Sequence, residues 1–149
     1  MRLTAEAINA NRVFAFHAEV FSALFPDGCE VDAASVARLA ESGFNVDALA
    51  ANLLSSEGFY EYAESVRAYR DVYESETGPQ NASFTKAVEK AGDRYMLTQF
   101  EKGALEKYDD SVVFAALAYK EATKQEWQRF LVLAAPCFVA VFNRERGEA

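Results

Sequence analysis

The sequence predicts an all-α fold: a compact bundle of six to seven helices in one domain, residues 1–149, with a short helical hairpin near 33–54. Three observations predict it. Apolar residues recur at three- and four-residue intervals along most of the chain. A Ser, Thr, Asp or Asn stands before nearly every such stripe, where its side-chain oxygen can accept from the unpaired N–H groups of a first helical turn. Glycine and proline fall between the stripes, where the chain has to turn.

Thr4 is the N-cap of a first helix, followed at roughly helical intervals by Ile8, Val13, Phe16, Val20 and Leu24, with Phe14, Phe21 and Phe25 beside them. The stripe is wide, so this helix is expected to be buried on more than one side. Pro26-Asp27-Gly28 ends it in a turn. Asp32 caps a short helix holding Val36 and Leu39, with Gly43 as its left-handed stop, and Asn45 opens another with Val46, Leu49, Leu53 and Leu54.

Ser55 or Ser56 caps a longer, tyrosine-bearing helix at 57–75. Phe59, Tyr62, Val66, Tyr69 and Tyr73 make one face of it. Gly78-Pro79 and its neighbours read as the clearest loop of the chain. Ser83 then caps a fifth helix running through Val88, Ala91, Tyr95, Leu97, Phe100 and Leu105, which Gly92 and Gly103 are expected to bend or break. Asp109 or Asp110 caps the next stretch, Val112 to Tyr119. Thr123 with Glu126 resembles a capping box and opens a last segment from Lys124 to about Arg144.

That last segment holds the longest apolar run, Phe130 to Phe142. The run admits two buried strands around Pro136 or one helix. Ala134, Ala135 and Ala140 favour a helix, kinked where the proline ring meets the Val132 carbonyl. Apolar on every side, it is either the centre of the bundle or an oligomer contact.

With 51% hydrophobic and 13% aromatic residues in a chain of 149, a core can form without staples, which excludes intrinsic disorder. Two cysteines, Cys29 and Cys137, lack CxxC spacing, and no cleavable leader is visible. The apolar run falls short of the about 20 residues of a membrane span. The reading is cytoplasmic, with free thiols and no membrane.

The net charge of −8 is unevenly placed. Residues 1–82 hold 13 acids against five bases, all arginine, whereas residues 83–149 hold ten of each. Direct nucleic-acid binding is not expected, since a phosphate backbone needs clustered Lys and Arg. An acidic surface aids solubility and can also dock a basic protein.

No catalytic constellation emerges. The one histidine, His17, has Val13, Phe14, Val20 and Phe21 at helical spacing and reads as a packing residue. A lone histidine also excludes His-rich zinc sites and the two Glu-x-x-His motifs of di-iron bundles, so no metal and no cofactor is expected. Glu57, Glu61 and Glu64, with Asp71 further along, share one face of the tyrosine-bearing helix and read as a solvated acidic stripe. Asp27 to Asp32 fails the calcium-loop pattern. Residues 34–54 have the outline of a helix-turn-helix, but the second helix offers Asp47, Ala48, Ala51 and Asn52 rather than cations, so a plain hairpin is expected.

The tyrosines remain. A tyrosine sets an apolar ring and a polar tip at the rim of pockets and interfaces. Tyr62, Tyr69 and Tyr73, with Trp127 and His17, are therefore the candidate ligand or interface residues. Three functions are compatible with this. The first is a non-enzymatic, homodimeric binding protein. The second is a small-ligand binder or enzyme with an aromatic cleft between helix 57–75 and the C-terminal helix. The third is an acidic inhibitor that mimics nucleic acid.

Overall fold

A computed structural model describes residues 1–11, 14 and 17–147. The fold is all-α. Among the described residues it comprises α1 (Ala5–Ala10), α2 (Ala18–Leu24), α3 (Ala33–Glu41), α4 (Val46–Leu53), α5 (Ser56–Glu76), α6 (Gly78–Thr98), α7 (Ala104–Ala122) and α8 (Lys124–Glu145), with two-residue strands β1 (Arg2–Leu3) and β2 (Cys29–Glu30). The chain groups into two compact units: Met1–Val72 with Trp127–Ala149, and Tyr73–Glu126.

In the first unit β1 and β2 pair antiparallel, Arg2 opposite Glu30 and Leu3 opposite Cys29. Too short to leave an alternating pattern, they escape sequence reading. Gly28, at φ +81°, makes the pairing possible, because a Cβ there would run into the Leu3 carbonyl. Cys29, which follows the Pro26-Asp27-Gly28 turn, is buried, and burial together with the nearby Asp32 pushes its thiol pKa up.

The single first helix of the sequence reading is two. Thr4 caps α1 as expected, accepting from the Ala7 N–H at 3.2 Å. At Asn11 the backbone turns extended (ψ 116°), and the Asn11 amide donates to Asn52 of α4 at 3.2 Å. An asparagine that finds a tertiary partner competes with the helix it would otherwise continue. Val13 and Phe16, placed on that helix by sequence, lie outside the described residues.

The hairpin at 33–54 forms with the caps its sequence announces. Asp32 Oδ1 accepts from Ser35 N–H at 2.8 Å and Asn45 Oδ1 from Ala48 N–H at 3.1 Å. Gly43 sits at φ +83° between the helices. Ser55 opens α5, its hydroxyl accepting from Gly58 N–H at 3.0 Å.

α8 runs as one helix through Pro136, and no strand forms there. Phe130, Leu131, Ala134, Ala135, Phe138, Val139, Val141 and Phe142 are all buried, so α8 is the central helix of this unit. Two polar ties hold it to α5. Arg144 pairs with Glu61, and the Glu145 carboxylate accepts from the Ser55 amide and hydroxyl, which holds its pKa below the usual carboxylate value. Gly58 leaves the space that carboxylate occupies.

The second unit is a helical hairpin, and here several expectations change. Ser83, expected as a cap, and Gly92, expected to bend or break the helix, both lie inside an unbroken α6, and Leu105 belongs to α7. Gly78-Pro79 is not a loop but the first turn of α6, where proline's missing N–H costs nothing. The turn from α5 is the single residue Thr77. Asp109 and Asp110 cap nothing: α7 begins at Ala104, after Gly103 at φ +79°, and runs through both. Nor does Thr123 form a capping box. Its hydroxyl donates back to the Tyr119 carbonyl at 2.9 Å, as Thr77 donates to the Tyr73 carbonyl at 2.8 Å. Both threonines are buried, with nearly the same backbone angles (φ −100°, ψ 4° and φ −109°, ψ 7°). A Tyr-x-x-x-Thr sequence thus marks each joint between a long helix and the hairpin.

Candidate functional site

The predicted site residues have separate neighbours. Tyr62 is 1% exposed; its hydroxyl donates to Asp47 Oδ1 at 2.6 Å, and its ring meets Phe138 edge-on at 6.5 Å. Arg70 donates to the other Asp47 oxygen at 2.7 Å and lies over the Phe130 ring at 4.7 Å. Burial and the Asp47 contact both push the Tyr62 pKa upward. This network clamps α4 to α5. Trp127 stacks on Phe130 at 5.5 Å, and half-buried His17 tilts against Phe44 at 5.1 Å. Tyr69 is exposed.

The acidic stripe divides in the same way. Glu61 pairs with Arg144 and Glu64 with Arg67, while Glu57 and Asp71 are exposed on α5. Elsewhere Glu30 pairs with Arg2 at 3.5 Å, and Asp32 and Asp47 are engaged as described. Among the described residues no three His, Cys, Asp or Glu side chains gather as a metal site. No described helix is long and apolar enough to cross a membrane.

The concave feature lies elsewhere, between α6 and α7. These helices run antiparallel, and two ring pairs set their register: Phe84 with Tyr119 at 5.7 Å and Tyr95 with Tyr108 at 5.6 Å. Each step up α6 is therefore matched by a step down α7. Between the ring pairs stand Ala91 and Gly92 on one helix and Ala115 on the other, small enough to let the backbones approach.

Along one side of this seam runs a groove of about 780 Å³. Its α6 residues, from Gln80 through Ser83, Phe84, Ala87, Lys90 and Ala91 to Arg94, follow three- and four-residue steps and so share one helix face. Ala87, Ala91, Ala115, Ala118 and Ala122 make a floor of methyl groups, and Phe84, Phe114 and Tyr119 rise from it. The rim is charged on both sides but with opposite sign: Lys90 and Arg94 on α6, Asp110 on α7. No ion pair engages any of the three among the described residues.

At the base of the hairpin Tyr73 is hydrogen-bonded with Tyr119, and burial followed by that bond pushes its pKa up to about 12. Gln80 Oε1 and Glu126 Oε2 are buried there without hydrogen-bond partners among the described residues. Of the residues singled out by sequence, only Tyr73 belongs to this region. The missed signal was the pairing of Phe84, Ala87 and Ala91 with Phe114, Ala118 and Ala122, two i, i+3/i+4 ladders that read separately as ordinary helix.

No protein-family model, no curated protein and no solved structure matches the chain.

Proposed function

We propose that the protein is a non-enzymatic binding protein that works as a homodimer, with the α6–α7 hairpin as its working part. One observation carries this: the hairpin's apolar side chains face solvent. Phe100 is 98%, Leu97 87% and Phe114 75% exposed, with Met96, Leu105, Val113 and Leu117 more than half exposed. Exposed apolar patches of this kind mark interaction surfaces on soluble proteins. The sequence reading offered α8 as the contact; with α8 buried, the hairpin takes that role. A cytoplasmic location is part of the proposal, supported by two free thiols. Sedimentation of the full chain at micromolar concentration tests it. A dimer is expected, and a clean monomer would remove the claim.

A second reading is favoured by the groove itself. At about 780 Å³ it falls in the size range of small-ligand sites, and the bare Gln80 acceptor at its end invites a donor. Saturable protection of the Phe84 and Phe114 ring signals by a hydrophobic probe would support that reading over the first. The nucleic-acid mimic is the weakest of the three, because Glu30, Asp47, Glu61 and Glu64 each already hold a cation.

A further inference from the structure

We infer that the occupant of the α6–α7 groove is the same groove of a second copy, the two hairpins closing into a four-helix bundle about a two-fold axis that runs along the helices. This rests on the homodimer proposed above and names its seam and register.

The charge pattern argues for it. Tyr95 faces Tyr108 within the hairpin, so Arg94 and Asp110 stand at the same level on opposite rims. By the same register Lys90 stands level with Phe114. A two-fold axis along the groove brings α6 of one copy over α7 of the other with levels preserved. Each Arg94 then meets the other copy's Asp110, and each Lys90 meets the other copy's Phe114, whose exposed ring face suits a cation. A second copy therefore satisfies both rims at once. An unrelated amphipathic helix would have to carry an acid and a base at matching positions.

The area argues the same way. A stable dimer hides about 800 Å² per partner, which corresponds to roughly four or five aromatic-sized side chains. Exposed Phe114 in the groove, exposed Leu97 and Leu117 on the same two helices, and the uncovered parts of half-buried Phe84 and Tyr119 contribute toward that area. The alanine floor gives the other copy's Phe114 a place to sit, in the knobs-into-holes manner of helix bundles.

The test uses the full-length chain and two charge reversals, Arg94→Glu and Asp110→Arg. In a homodimer of either variant both inter-copy pairs become like-charged. In a one-to-one mixture, the heterodimer sets the introduced glutamate of one copy against the introduced arginine of the other. Its second pair is the native one, Arg94 with Asp110, so both pairs are of opposite charge again. Sedimentation is expected to show each variant alone dimerising about tenfold more weakly than the unaltered chain at low salt, and the mixture returning to the unaltered affinity. Helical circular dichroism checks that each variant is folded. An unaltered chain that dimerises while both reversals leave the affinity unchanged overturns this seam and leaves the homodimer standing. Weakening without recovery in the mixture overturns the register. An unaltered chain that stays monomeric overturns both the seam and the homodimer, and leaves the groove to an occupant of another kind.

Discussion

The two units differ in what they do with similar residues. The first buries Phe21, Phe44, Tyr62, Phe130, Phe138 and Phe142 almost completely, along with Ile8, Leu39, Leu49 and Leu131. The second carries Phe84, Phe100, Phe114, Leu97, Leu105 and Leu117, yet among its described residues only Thr77, Ala104, Ala115 and Thr123 are buried. Both have long helices of comparable apolar content. What separates them is the number of layers. In the first unit α8 is surrounded, so its apolar residues have neighbours on every side. The second is one pair of helices, and a pair can cover only the strip where the two touch. Apolar content by itself therefore does not make a core, and the surplus left on a two-helix layer is what motivates the proposal of a partner for this unit.

The contrast can be broken most directly by truncation. Phe138→Ala removes a fully buried ring at the centre of the first unit and is expected to cost about 3–5 kcal/mol in urea unfolding. Phe114→Ala, the same change on the second unit, should stay within about 0.5 kcal/mol in solution too dilute for association. Equal losses would show that Phe114 has a covered environment in the single chain.

The next effect in size concerns the polar clamp. Asp47→Ala leaves the buried Tyr62 hydroxyl without its acceptor and Arg70 without its carboxylate. A loss of about 2 kcal/mol is expected, since an orphaned buried donor is costly. The double variant with Tyr62→Phe should recover part of it, and the coupling is read from a double-mutant cycle.

Ser55 is a smaller test of the same unit. Ser55→Ala removes the cap of α5 and one partner of Glu145, for about 1 kcal/mol. The Glu145 carboxyl titrates below its ordinary value of 4.5 in the folded chain. Its contribution is present above that value and is lost as pH falls through the folded pKa. Glu145→Gln should therefore lower stability at neutral pH and flatten the acid limb below pH 4.5, the two chains converging in stability at low pH.

The smallest effect lies at high pH in the second unit. The Tyr73 pKa is raised from 10.0 to about 12. Stability from the neutral phenol is intact below pH 10 and is lost as pH rises toward 12. Tyr73→Phe should make that alkaline decline shallower, and tyrosinate absorbance should show one late-titrating group fewer.

Which features were legible in the sequence follows from how local their causes are. Thr4, Asp32, Asn45 and Ser55 cap the helices they precede, because a cap and its acceptor lie within a few residues. The all-α class was likewise written in periodicity, whereas the helix of α8 through Pro136 was favoured over two strands only by the helix-forming Ala134, Ala135 and Ala140. The break at Asn11 was not, because its partner Asn52 is far along the chain. The helical fate of Gly78-Pro79 was hidden because the same dipeptide suits a turn and a first helical turn equally well. The groove was hidden for another reason. Alanine ladders on α6 and α7 carry no signal until the register between the helices is known, and that register is set by two tyrosine-containing ring pairs across the hairpin.

The two threonine joints also bear on how the chain assembles. The first unit draws its core from both ends of the sequence, so α8 can join it only after residues 73–126 have been looped back. In an unstructured chain, closing a loop of that length costs on the order of 3 kcal/mol in entropy. The α6–α7 hairpin is made of contacts between neighbouring segments, the kind that form early. Once formed, it holds its own two ends together through Tyr73 and Tyr119, just before Thr77 and Thr123. The search for the central helix then becomes a nearly local event. The unit with almost no core of its own is thereby placed to speed the closing of the other's.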